Sequence, residues 1–250
     1  MEILAIANQK GGVGKTTTAV NLAASLAGRR KKVLLIDLDP QGNATSGTGL
    51  EKRSLELTIA DVLLDGVDLK EAIYPSPAGF DVVGANRDLS GIDITLMGKS
   101  DSHLLLSKAM QTVDDYDYVI IDCAPSLNLL TINAMVATQG VIIPMQCEYY
   151  ALEGLADLSQ TIDRLKDLNP ELHIRGVLRT LFDSRNTLAN DVSAELESHF
   201  GDLMFKTIIP RNVRLAEAPA HGMPVLDYEK SSKGAQAYRK LATEIIKQSR

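Results

Sequence analysis

Short apolar runs alternating with amphipathic stretches set the reading of this chain. Ile3-Leu4-Ala5-Ile6-Ala7 is apolar throughout, and Thr16 to Leu26 then places its apolar residues at helical spacing. Lys31-Lys32-Val33-Leu34-Leu35-Ile36-Asp37 and Tyr116-Asp117-Tyr118-Val119-Ile120-Ile121-Asp122 read as fully buried parallel strands, each ending in an acid. Further strands are predicted over 79–85, 140–145, 173–179 and 204–209. Helices are predicted over 101–114, 127–138, 151–168, 187–199 and 234–248, with short helices over 58–72; Asn169-Pro170 stops the 151–168 helix. The alternation predicts an α/β fold, a doubly wound, mostly parallel sheet with helices on both faces, spanning residues 1–250 as a single domain. No linker, low-complexity tract or internal repeat interrupts it.

Composition changes that picture little. Hydrophobic residues make up 45% and charged residues 23%, ordinary for a water-soluble globular chain. No run is long enough to span a membrane, and the expectation is of no signal peptide, because Met1-Glu2 opens directly into a strand. Cys123 and Cys147 form no C-x-x-C pair and read as buried free thiols in a reducing cytoplasm. The net charge of −6 argues against a uniformly basic nucleic-acid binder, yet it is uneven. Residues 1–174 carry 14 Lys/Arg against 23 Asp/Glu, whereas residues 175–250 carry 12 against 9. The basic excess fits a surface patch or scatter, and the charge count alone favours scatter.

The candidate chemistry lies in Gln9-Lys10-Gly11-Gly12-Val13-Gly14-Lys15-Thr16-Thr17-Thr18, between the first strand and the first helix. Strand, glycine loop and helix in that order is the context of a phosphate cradle. Backbone N–H groups turn inward without Cβ clashes, and the helix N-terminus adds its field. Lys15 is placed to reach the β/γ-phosphates and Thr16 to hold Mg²⁺. The strict G-x-x-x-x-G-K-[ST] pattern fails at Gln9, and a second lysine stands at Lys10. A dinucleotide loop is the rival, since Asp37 ends the second strand where a ribose-binding acid belongs. The Lys15-Thr16-Thr17 run and the missing third small residue favour a nucleoside triphosphate. Asp122 fits a Walker-B acid orienting the Mg²⁺ shell, and Asp39, in a Pro/Gly-bounded loop beside the metal, fits positioning of the attacking water. Alone, either acid reads more simply as a helix cap or a turn residue. A lysine additional to Lys15 suggests charge delivered to the opposite subunit's site, as an arginine finger does in trans.

These segments resemble the deviant Walker-A ATPases of the ParA/Soj family. The resemblance rests on Lys10 to Thr17, Asp37-Leu38-Asp39-Pro40-Gln41-Gly42-Asn43, Ile121 to Ser126, Pro144 to Gly154 and Ile209 to Pro219. It implies ATP and Mg²⁺ as cofactors and an ATP-dependent homodimer sandwiching two nucleotides. It further implies non-specific binding to double-stranded DNA, release on hydrolysis stimulated by a ParB-type partner, and a cytoplasmic, nucleoid-associated location. By motif, Lys10 crosses to the partner's phosphates; Gly11, Gly12, Val13 and Gly14 cradle the bound nucleotide with Lys15 and Thr16. Thr17 serves the α-phosphate, Asp39 and Asp122 the metal and water, and Pro210-Arg211-Asn212 the adenine. Glu148 falls near the ribose or dimer seam, and Arg185 and Arg214 match DNA-contacting positions. The chain opens at the first strand, so the expectation is of no helix-turn-helix domain, no autorepression and no basic N-terminal tail.

Three rivals share parts of this pattern. A MinD-like membrane switch would need an amphipathic C-terminal helix, whereas Ala235, Tyr238, Leu241, Ala242, Ile245 and Ile246 read as a core-facing stripe. An iron–sulfur relative would need ligand cysteines on the dimer seam. An ATP-dependent ligase resembling dethiobiotin synthetase would need a polar substrate pocket, and His103, His173, His199 and His221 show no metal or triad spacing.

Overall fold

The computed structural model describes residues 1–249. Its strands are β1 (Glu2–Ile6), β2 (Val33–Leu38), β3 (Ile73–Pro75), β4 (Asp81–Val83), β5 (Tyr118–Cys123), β6 (Gly140–Gln146) and β7 (His173–Thr180). The α-helices are α1 (Lys15–Ala27), α2 (Asn43–Gly47), α3 (Ile59–Asp65), α4 (Ile92–Thr95), α5 (Leu105–Ala109) and α6 (Leu129–Ala137). They continue with α7 (Ala151–Leu165), α8 (Thr187–Phe200), α9 (Val213–Glu217), α10 (Val225–Tyr228) and α11 (Lys233–Gln248). The strands form one sheet in the order β3-β4-β2-β5-β1-β6-β7, parallel except for β3.

Period-two alternation explains why both faces are covered. Ile3, Ala5, Leu34, Ile36, Val119, Ile121, Val141 and Ile143 join a core with α3, α6, α7 and α8. Their neighbours Leu4, Ile6, Leu35, Ile120 and Ile142 join a second core with α1 and α11. Strands apolar at successive positions can be stable only between two helical layers. On α11, Ala235, Tyr238, Leu241, Ala242 and Ile245 are buried, and the Tyr238 hydroxyl lies 3.1 Å from Thr18 Oγ1 of α1. The stripe therefore packs into the core rather than offering a membrane face. Among the described residues no helix is long and apolar enough to cross a membrane.

Three expectations need correction. The segment 204–209 is not a strand: it meets β7 in isolated contacts, the Val177–Met204 bridge with the Phe205 amide on the Val177 carbonyl (3.0 Å), and the Ile209 amide on the Arg179 carbonyl (2.9 Å). The Glu244 carboxylate of α11 takes the amides of Lys206 (2.7 Å) and Thr207 (3.0 Å), so the ladder cannot run through them. The 101–114 helix is broken into 3₁₀ turns on either side of α5, with Asn133 of α6 taking the Leu106 amide. The strand placed at 79–85 shrinks to β4, because beyond Val83 the Gly84 carbonyl accepts from the Ile59 amide (2.9 Å) and the Ala85 amide donates to the Thr45 hydroxyl (2.9 Å).

Candidate functional site

The parallel strands end along one edge of the sheet, and β1 lies there between β5 and β6. Ligands of open α/β sheets sit outside such an edge where connections diverge to either side. The loop from β1 to α1 occupies that place. Gly12 (φ 75°) and Gly14 (φ 89°) adopt left-handed conformations that a side chain would disfavour, and Gly14 is the N-cap of α1. No atom stands within 4 Å of where a Cβ would lie on Gly11 or Gly12, so the inner surface of the loop is open.

Side chains far apart in the sequence hold this loop. Asn8 donates to the Pro144 carbonyl (2.8 Å) and accepts from the Lys10 amide (2.9 Å). The Thr180 hydroxyl at the end of β7 donates to the Val13 carbonyl (2.7 Å). Asn21 donates to the Thr17 carbonyl (2.8 Å) and accepts from the Val225 amide (2.7 Å), fixing α1 against α10. Lys15 is buried, and its ammonium donates to the Lys10 carbonyl (2.9 Å). Burial lowers its pKa, while Asp122, Cys123 and Asp39 pull the other way. A loop preset by such contacts loses little freedom when an anion binds.

Asp37 and Asp122 lie side by side in the register of β2 and β5. Asp37 is fully buried and saturated: its carboxylate accepts from the Asp39 amide (3.1 Å), the Thr45 amide (2.8 Å) and the Thr45 hydroxyl (2.8 Å). Burial pushes its pKa up to about 6 despite those bonds. It is thus an internal strut for the loop carrying Asp39, with no free oxygen for a ribose, which counts against the dinucleotide reading. Asp122 is the opposite case. It is fully buried, and neither carboxylate oxygen has a hydrogen-bond partner. Burial, and then the Asp37 charge, raise its pKa well above the carboxylate range, with the Thr16 hydroxyl close by but outside hydrogen-bond geometry.

A buried, unpartnered carboxylate is costly unless something absent from the free chain satisfies it. Together with Thr16, Asp39 and an open glycine loop, that orphaned group fits a hydrated Mg²⁺ and the phosphates it accompanies. Among the described residues no group of three or more His, Cys, Asp or Glu could hold a metal alone. Asp39 is half-buried and accepts from the Gln41 amide (2.9 Å) through Oδ1.

The remaining predicted residues fall around this centre. The Lys10 ammonium pairs with the Glu148 carboxylate of the same chain on the exposed surface, instead of projecting freely. Pro210-Arg211-Asn212 runs beside the end of β7: the Arg211 amide donates to the Phe182 carbonyl (2.9 Å), and Asn212 caps α9 through the Arg214 amide (3.1 Å). Arg185 grips Asp183 (2.9 and 2.7 Å) and Arg214 pairs with Glu217 (2.7 Å), so neither arginine stands alone. The sequence reading missed Asn8, Thr180 and the strut role of Asp37. Only Asp37, a strand-end acid, carried a signal; a lone Asn or Thr carries none. Both cysteine thiols are buried, and burial pushes that of Cys147 up to about 11.

A family model for the AAA domain matches residues 1–174. The sporulation initiation inhibitor protein Soj of Bacillus subtilis is 50% identical to this chain, covering 98% of each. The chromosome partitioning protein ParA of Caulobacter vibrioides is 47% identical over all of this chain and 96% of its own. Among solved structures, cobyrinic acid a,c-diamide synthase from Mycobacterium smegmatis with bound ATP analog and magnesium superposes with a TM-score of 0.87. It is 36% identical, covering 100% of this chain and 96% of that one.

Proposed function

We infer, because the chain belongs to the ParA/Soj family of partition ATPases, that it is an MgATP-dependent switch which dimerises around nucleotide and holds DNA until hydrolysis. The observation that supports this most is the unpartnered carboxylate of Asp122, buried beneath a preset glycine loop and beside Lys15. In this reading the Gly11–Gly14 amides and Lys15 bind the β- and γ-phosphates, and Thr17 takes the α-phosphate. The Pro210–Asn212 segment takes the adenine, and Thr16 with Asp122 holds the metal's shell. The bound Mg²⁺ supplies charge neutralisation for the transferring phosphoryl group. Asp39 orients the water that attacks it. Lys10 leaves Glu148 and reaches the partner subunit's phosphates, and Arg185 and Arg214 contact DNA phosphates without reading bases. A ParB-type protein accelerates hydrolysis and so releases the DNA.

The test is sedimentation of the protein with a non-hydrolysable ATP analogue, Mg²⁺ and duplex DNA. A dimer formed only with the analogue, and DNA retained only by that dimer, supports the switch; monomers in every condition sink it. The likeness to a diamide synthase favours a second reading, an ATP-dependent synthase acting on a small acid. Turnover that requires an added carboxylic acid rather than DNA or a partner protein would select it.

A further inference from the structure

On the far side of Asp39 from the glycine loop, at the ends of β2 and β4, lies a cavity of about 350 Å³. Gln41, Lys52, Arg53, Arg87 and Asp88 line it. Among the described residues none of the three cations forms an ion pair. Asp88 is the only carboxylate in the wall, and its Oδ2 already accepts from Asn86 (2.8 Å). Two positive charges are therefore in excess around a space of small-anion size. Like charges gathered at one surface repel one another, and a doubly charged anion relieves that repulsion. Guanidinium groups suit it chemically, since their forked donors match tetrahedral oxyanions.

We propose that Lys52, Arg53 and Arg87 form an oxyanion site that takes a phosphate group and acts on Asp39 through Gln41. The link is structural. Lys52 donates to the Gln41 carbonyl (2.5 Å), and the Gln41 amide donates to Asp39 Oδ1 (2.9 Å). The next residue, Gly42 (φ 60°), leaves no slack, because a Cβ there would lie 2.6 Å from the Ala85 carbonyl oxygen and 2.9 Å from the Lys52 side chain. A phosphate on the two arginines competes for the Lys52 ammonium, frees the Gln41 carbonyl and loosens the turn that sets Asp39. The site itself stands on its own charges; only its effect on turnover rests on the ATPase reading. Free phosphate, the product of hydrolysis, and the phosphodiesters of DNA are the two sources of the group.

The experiment titrates inorganic phosphate at constant ionic strength into protein loaded with Mg²⁺ and a non-hydrolysable ATP analogue, so that the glycine loop is filled. Binding is read from the phosphorus resonance linewidth. Saturable binding that weakens about tenfold or more in the Arg53→Ala/Arg87→Ala double variant, with analogue affinity unchanged, supports the site. No phosphate binding, but a similar loss of duplex DNA affinity in the double variant, assigns the same site to DNA phosphates. If the double variant changes neither phosphate binding nor duplex DNA affinity, the proposal is overturned. If the analogue fails to load, it is the nucleotide reading that fails, and the same titration on Lys15→Ala protein decides the cavity separately. Phosphate should also slow MgATP turnover in the wild type and not in Lys52→Met; equal slowing in both removes the link through Gln41.

Discussion

Asp122 is a single side chain that the nucleotide-free fold leaves buried and without a hydrogen-bond partner. A buried carboxylate without donors destabilises the nucleotide-free fold by roughly 1–3 kcal/mol relative to a neutral isostere. Asp122→Asn is therefore expected to raise the melting temperature of the nucleotide-free protein by several degrees, ~2–4 °C per kcal/mol, while sharply lowering MgATP turnover. Calorimetry beside an ATPase assay checks it, and unchanged stability would show that the orphaned carboxylate is satisfied in solution. Asp39 is expected to behave differently. It is half-buried and makes one local bond, so Asp39→Ala should fold normally, bind ATP and trap the nucleotide-bound state without turnover. Normal hydrolysis by this variant would remove its water-positioning role.

Among the elements, the segment after α8 lies against β7 through close packing and isolated bonds rather than a continuous ladder. Gly176 of β7 faces the Phe205 ring, and a Cβ there would come within 2.5 Å of a ring carbon. Gly176→Ala must displace a ring that is almost wholly buried, at a cost of about 1–3 kcal/mol. Denaturant unfolding measures it, and a shift below about 0.5 kcal/mol would mean that the ring moves freely. The same packing explains why 204–209 resembles a strand in sequence without forming one. Met204, Phe205 and Ile209 are buried as a strand's residues would be, but Glu244 from α11 takes the Lys206 and Thr207 amides and interrupts the ladder between them. Periodicity reports which residues are buried and is silent on which acceptor reaches the backbone first.

For the whole molecule, Lys10 carries the sharpest prediction. In one chain it pairs with Glu148 on the surface, where such a pair contributes on the order of 0–1 kcal/mol, so crossing to a partner costs little. Lys10→Ala should leave ATP binding near wild type and lose the analogue-dependent dimer in sedimentation; a dimer that persists contradicts the in-trans role. Arg185→Ala and Arg214→Ala should each weaken DNA binding and lower its salt dependence, with ATP affinity spared. Both arginines already hold an acid, so phosphate must compete with Asp183 and Glu217 for them. Retention unchanged at low salt would place the DNA surface elsewhere.

Apolar runs of strand length, the glycine loop with Lys15-Thr16 and the acids ending two buried strands were legible along the chain. Each is a local matter of side-chain burial or backbone freedom, and local pattern suffices to show it. The partners of those groups were not legible. Asn8 meets Pro144 and Thr180 meets Val13 only because the sheet order brings together residues with no common periodicity. Asp37 and Asp122 look alike in sequence, each a strand-end acid. The fold alone gives one of them three donors and the other none, since hydrogen bonding between side chains depends on distances in space that no one-dimensional pattern records.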